Sequence, residues 1–373
     1  MKNIWKTFHS GRGILFMMIF LCCIIGAAVL KIASSVILPF TISALLAIVM
    51  YPIIKALDKL RFPRAISIFV IIILIVVVIC LFGVVLFTSA KMIVERLPFY
   101  ESRFMEIYNW AADIFDLPSD DELTFWQNLW GQQGIRTWVR DFTISFSNTF
   151  LTFLSSAVLV ILFMVFILLE ASHSKIKLDT AFDNRSERIY KMGDNLMTQV
   201  MRYLTAKFFL SLATGLLLTL VFWLIGLEFA IVWGVVAFVL NFIPTLGSIA
   251  AGFATSLFAL IQFWPNPVPV IIVVSSILAV NMVIGNFLDP KITGEHVGIS
   301  PLLVLISLGV WGYIWGFAGM ILAVPMMVII KIVCENIPIL EPVSILIGSR
   351  RSVQAKQSEQ PPEPEDEEVE AQL

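Results

Sequence analysis

Long stretches without a charge recur along the chain, at residues 13–30, 32–54, 65–90, 146–169, 208–227, 229–288 and 297–330. A helix needs about 20 apolar residues to cross the ~30 Å hydrocarbon core of a bilayer. Several stretches meet that length, and the first two are parted only by Lys31. Transmembrane β-strands would be about 10 residues long and alternate apolar with polar positions. Nothing here alternates, so the pattern predicts an all-α, polytopic helical membrane protein.

Composition narrows the function classes. Hydrophobic residues make up 59% of the 373 and charged residues 14%, with mean hydropathy +0.92. A soluble domain carries about 25% charged residues. The excess excludes a disordered chain and a disulfide-rich secreted scaffold. The formal net charge of −2 gives no field to select nucleic acid, so none is expected as a partner. Cys22, Cys23, Cys80 and Cys334 show no CxxC and no metal spacing, and read as small packing residues. No HExxH, GxSxG or phosphate-binding Gly-Lys-Ser/Thr loop is present, so neither enzyme chemistry nor a resident cofactor or metal is expected.

Charge sets the expected orientation. Lys2, Lys6 and Arg12, then Lys55, Lys59, Arg61 and Arg64, then the seven Lys and Arg of 171–207, fall two spans apart and thus on one side. That side is cytoplasmic, with both termini, in a cell (inner) membrane. The basic and then apolar N-terminus resembles a signal peptide; the alternation of basic loops needs it retained as a span.

Five regions follow. Residues 1–90 are scaffold spans. Residues 91–145 hold nine acidic and five basic residues with Trp110, Trp126, Trp130 and Trp138; this predicts extracytoplasmic amphipathic helices along the membrane surface. Residues 146–207 are the fourth span and a cytoplasmic helix, and 208–340 the transport half. Residues 341–373 end in Pro-rich acidic sequence and read as a disordered tail.

The second half carries the chemistry. A continuous helix over 229–263 would be roughly 50 Å long, but it is interrupted at Asn241-Phe242-Ile243-Pro244-Thr245-Leu246-Gly247-Ser248. Proline lacks the backbone donor and glycine weakens helix. Residues 270–288 then form a span, ended by Asp289-Pro290, and 301–335 is again over-long and broken, at Gly309, Gly312, Gly316 and Gly319 before Pro325. Irregular backbone at membrane depth needs protein or a water-filled cavity around it. Paired breaks in corresponding positions mark a transporter binding site. Each unit reads as a span plus either a re-entrant helical hairpin or one bent span, and length favours the hairpin.

At these residues the sequence resembles the autoinducer-2 exporter family of PerM-type permeases. The family's Ile-Pro-x-x-Gly-Pro break stands here as Ile243-Pro244-Thr245-Leu246-Gly247-Ser248. Its second stretch is matched by Pro290, Ile292, Gly294, Gly298, Ile299, Pro301 and Leu302, and its ending by Gly316, Gly319, Ala323, Val324 and Pro325. Arg202-Tyr203-Leu204 is similar too, with Lys207 where an uncharged polar residue is common. The resemblance covers most of residues 10–340. It implies about eight membrane segments with two re-entrant hairpins, a homo-oligomer (pentamers are implied), an elevator-like movement of the second half, and export of small polar solutes.

The candidate solute site is Asn241, Thr245, Ser248 and Asn286 as hydrogen-bonding groups and Pro244 and Gly247 as shaping residues. Pro301, Gly312 and Gly316 complete the set at the second break. Ionisable groups at membrane depth are functional candidates: Asp289, Glu295 and His296 are the expected sites for coupling H⁺ or Na⁺. Two other readings stand beside export: a Na⁺/H⁺ antiporter needing Asp289, and a non-transporting membrane scaffold for envelope assembly working through 91–145.

Overall fold

The computed structural model describes residues 17–18, 21–22, 24–115, 135–170, 186–289, 291–292, 299–337 and 340–348. Residues 24–32 are helical and lead through a turn at Ala33 into α1 (Ser34–Lys59). There follow α2 (Arg64–Phe115), α3 (Ile135–Glu170), α4 (Ser186–Ile225), α5 (Ala230–Leu240), α6 (Leu246–Phe263), α7 (Pro267–Val280), a π-helix π1 (Asn281–Leu288), α8 (Pro301–Asn336) and α9 (Glu341–Ile347). Seven of the described helical stretches are long and apolar enough to cross a membrane. Large apolar side chains stay on their outer faces, Phe87 at 72% and Leu81 at 62% exposure among them. Water would not tolerate that surface; lipid does. The protein is a multi-pass, all-α membrane protein.

The first three helices share one core. Ala47 and Ile54 of α1, Ile68 and Ile71 of α2, and Met164 and Leu168 of α3 are buried together. The α1–α2 corner is fixed by the Ser67 hydroxyl donating to Asp58 at 3.1 Å, and Arg64 reaches across to the Leu168 carbonyl at 3.1 Å.

In the second half, α4 is the central element and α5 lies close against it. A Cβ on Gly234 would collide with the Thr219 hydroxyl, and one on Gly215 would stand 2.8 Å from the Gly234 carbonyl oxygen. The small-residue contact lets the two backbones approach. Leu218 and Phe222 of α4 then bury with Ala230 and Ala237 of α5, Ala259 of α6, and Val273 and Ile277 of α7.

Both broken segments fold back on themselves. The Trp233 and Phe258 rings are 5.3 Å apart, where 25 residues of straight helix would separate them by about 37 Å. So α5 and α6 are the arms of a hairpin with its tip at 241–245. Gln262 closes its base, accepting from the Glu228 backbone N–H at 2.8 Å and donating to the Gly226 carbonyl at 2.9 Å. In α8 the Ser307 hydroxyl donates to the Ala323 carbonyl at 2.9 Å, a pair that straight helix would hold about 24 Å apart. The reversal is at Gly316, whose φ of 62° and ψ of −139° lie outside the helical region and suit only glycine. Arms 301–315 and 317–336 form this second hairpin. It lodges between α1 and α4, burying Leu308, Trp311, Trp315, Leu322 and Val328 with Leu45, Val200 and Tyr203.

The two tips are built alike. Each has a residue at positive φ, Thr245 (61°) or Gly316 (62°). Each has a glycine shortly after it, Gly247 or Gly319, whose Cβ position is taken by a carbonyl of the opposite arm, that of Leu240 or Trp311.

Two expectations change. Residues 91–115 are not a separate surface helix: they continue α2, which runs 52 residues, about 78 Å, from the first span. The helix continues unbroken through Pro98. Nor does the tail start at 341. Glu341–Ile347 is α9, with Ser344 and Ile347 buried. The Ser300 N–H donates to the Ile347 carbonyl at 3.0 Å, which ties α9 to the base of the second hairpin. Residues 116–134 of the expected outer segment and the tail 349–373 lie outside the described residues.

Candidate functional site

The site is built on one face of α4. Lys207, Ser211 and Thr214 are spaced i, i+4, i+7, so they share a face. All three are buried, at 4%, 0% and 3% exposure. Tyr203 lies one turn before them and is buried too. A polar stripe on a buried helix face must find partners: Thr214 donates to the Leu210 carbonyl of its own helix at 2.9 Å, and two other elements serve Ser211 and Lys207.

Ser211 meets the first hairpin. The Asn241 side-chain amide donates to its hydroxyl at 3.0 Å. Asn241 is the residue at which α5 ends and the tip begins. Beside it lies a cavity of about 10 Å³, lined by Thr214, Asn241, Ser248, Thr255 and Asn281 among apolar residues of α4 to α7. Ser248 and Thr255 turn their hydroxyls back to the Thr245 and Ala251 carbonyls, at 3.1 and 2.8 Å. The cavity's volume holds about one water, far below the several hundred Å³ of a small-molecule site. The hairpin is closed on α4.

Lys207 meets the end of π1. Its Nζ lies 2.6 Å from an Asp289 carboxylate oxygen, with the lysine side chain 5% and the aspartate 25% exposed. The pair sits two turns, about 10 Å, along the same α4 face from Thr214. Asp289 is eight residues past Asn281, so α4 and the α7–π1 helix run side by side from the ion pair to the cavity. A π-helix is rare and concentrates at functional positions; here it spans the interval between the two.

The sequence-predicted residues divide. Asn241 and Ser248 line the cavity, and Gly247 and Pro244 shape the tip beside it. Thr245 is exposed on the tip. Asn286 is exposed and outside the cavity lining, whereas Asn281 is in it. Pro301 is the exposed first residue of α8, and Gly312 and Gly316 stand at the second tip, with Gly312 against Met320. Asp289 is placed as described, while Glu295 and His296 lie outside the described residues. Thr214, Thr255 and Asn281 escape sequence reading, since single polar residues in apolar runs carry no mark. Lys207 did carry one: it is a cation at the edge of the uncharged run 208–227.

The other ionisable groups near the membrane have separate partners. Lys31 stands 3.5 Å over the Tyr313 ring, and Trp315 donates to the Leu30 carbonyl at 3.1 Å, seating the second tip on residues 24–32. Glu228, at the first hairpin's base, accepts a short hydrogen bond from the Tyr100 hydroxyl and lies 3.4 Å from Arg96. Among the described residues no cluster of three or more His, Cys, Asp or Glu is placed to hold a metal.

Two helical hairpins with matched tips thus follow the long apolar helices. The AI-2E family transporter model matches residues 14–339. The chain belongs to the AI-2E transporter family. Similar proteins span the same length. One from Borreliella burgdorferi, whose name gives it a provisional transport role, is 31% identical over 338 residues, 90% of this chain and 91% of the relative. The AI-2 transport protein TqsA of Escherichia coli is 27% identical over 311 residues, covering 82% of this chain and 88% of its own. A Haemophilus influenzae protein named in the same provisional way is 29% identical over 332 residues. Membership in the AI-2E family makes the polar face of α4 and the two hairpins parts of a transporter.

Proposed function

We propose that this protein exports a small, uncharged polar solute of the autoinducer-2 kind across the cell's inner membrane. The hairpin-bearing half moves against the α1–α3 scaffold in an elevator-like step, and both termini face the cytoplasm of a homo-oligomer. The observation that carries the reading is the Asn241–Ser211 bond beside the cavity. It places the break in the first hairpin against the buried polar face of α4. Hydroxyls and carboxamides there suit a neutral hydroxylated solute, which exchanges hydrogen bonds without leaving a charge in lipid. The cavity is too small for such a solute as it stands, so binding requires the hairpin tip to withdraw from α4. The strained Thr245 backbone and the close-packed Gly247 mark where that tip hinges.

Efflux of autoinducer-2 from proteoliposomes containing the purified protein tests this. Asn241→Leu removes one buried hydrogen bond and is expected to slow efflux about tenfold, the equivalent of ~1.4 kcal/mol. Efflux from the Asn241→Leu protein at the unaltered rate overturns the site, and no efflux from the unaltered protein overturns the solute class.

A further inference from the structure

The Asp289 carboxylate is held in the way a coupling cation would hold it, but the cation belongs to the protein. Lys207 Nζ is 2.6 Å from Asp289 Oδ2. Its side chain is 95% removed from solvent, whereas the carboxylate keeps a quarter of its surface. Tyr203, one turn earlier on the same face, is within electrostatic reach of Asp289. The partners come from elements 82 residues apart, and the pair lies on the α4 face that continues to the solute cavity.

We propose that Lys207 is a tethered substitute for a monovalent coupling cation at Asp289, so that solute movement in this protein does not use a sodium gradient. An ammonium on a four-carbon stem delivers one positive charge to the carboxylate. It needs no ion from solution, and it leaves and returns with α4 rather than with the solute. A free Na⁺ offered the same carboxylate must displace a buried, covalently tethered rival at effectively saturating local concentration. Removing the ammonium while keeping a polar side chain vacates that position next to Asp289. A hard monovalent cation with oxygen ligands then fits the charge. The proposal rests on the transporter reading for its part in a cycle, but its test needs no solute.

The probe is sodium chloride against choline chloride at equal ionic strength, read as the melting temperature of detergent-purified full-length protein. The unaltered protein is expected to melt alike in both salts. Lys207→Gln is expected to melt lower in choline and to recover roughly 3 °C or more in sodium, because a ligand that binds only the folded state raises its stability. Lys207→Gln combined with Asp289→Asn should lose that sodium response. A lysine with only a structural part would lower the melting temperature equally in both salts. Should Lys207→Gln not fold, Lys207→Ser, which leaves more room for a hydrated ion, takes its place in the same pair of salts. Sodium-specific stabilisation of the unaltered protein, or none in a folded Lys207 variant, overturns the proposal. A failed autoinducer-2 efflux experiment leaves this result unaffected, so the two readings fail separately.

Discussion

At the scale of single residues, the buried groups are costlier to break than to replace. Asp289→Asn leaves the Lys207 ammonium buried without its counter-charge, and such removal of one partner destabilises by about 3–5 kcal/mol. Replacing both partners with apolar residues, as in Lys207→Met with Asp289→Leu, should restore most of that loss. Chemical denaturation of the three proteins in detergent checks the order: the double variant must be more stable than Asp289→Asn. The glycines at the tips are the other single points of failure. An alanine methyl at Gly247 or Gly319 would occupy the space of the Leu240 or Trp311 carbonyl. Overpacking of this kind costs about 1–3 kcal/mol or more. Gly26, by contrast, has nothing within 4 Å of a Cβ, and Gly26→Ala serves as the silent control in the same melts. Only part of this chemistry was legible in the sequence. Proline and glycine announce a break because they remove a donor or a side chain locally. Asn241 and Ser248 were found by standing next to such a break. Asn286 was selected on the same ground, yet the structure puts Asn281 at the cavity, since which face a helical residue presents depends on what packs there. Nothing local joins Lys207 to Asp289 across 82 residues.

At the scale of elements, the long α2 changes how the base of the first hairpin is held. Its continuation past the first span brings Arg96 and Tyr100, one turn apart, to Glu228 at the base of the first hairpin. The Tyr100 ring also stands 5.5 Å from Phe258, and Trp110 stands 5.0 Å from Trp264. Burial first, then the hydrogen bond to Glu228 and the Glu228 charge, hold the Tyr100 hydroxyl well above its ordinary pKa, with the Arg96 charge opposing. A raised folded-state pKa means the folded protein holds this proton more tightly. The stability it contributes is therefore fully present below pH 10 and is lost as pH rises beyond that. Tyr100→Phe removes the titrating group, so its melting temperature should fall less steeply above pH 10 than that of the unaltered protein. A parallel pair of curves would remove Tyr100 from the clamp. The acidic and aromatic composition of 91–145 pointed to a membrane-surface segment because charge density reports where a helix leaves lipid, not which way it then runs. The direction of α2 is fixed by side chains on α6 and on the 226–229 turn that no local pattern reveals.

At the scale of the whole molecule, apolar run lengths were sufficient for the all-helical, multi-pass architecture. Length alone does not force a reversal, since α2 runs 52 residues and α4 40 without one. The proline and glycine breaks in the two over-long runs pointed to where each folds back. In α8 the Gly316 backbone and the Ser307–Ala323 bond show the reversal. The assembled picture is a group of three helices beside α4, with one hairpin closed on the polar face of α4 and the other seated between α1 and α4. The C-terminal end of α2 grips the first hairpin's base. If that half moves to carry solute, the grip must open in every cycle. The most direct measurement is a reversible lock. Trp110→Cys and Trp264→Cys, in a protein whose four native cysteines are replaced by serine, leave two thiols across the space the rings now fill, which a short bifunctional methanethiosulfonate bridges through reducible disulfides. Autoinducer-2 efflux is then followed in the same proteoliposomes before crosslinking, after it, and after reduction. The account predicts that efflux stops when the crosslink forms and returns when it is reduced. Efflux that continues unchanged through a fully formed crosslink would contradict it.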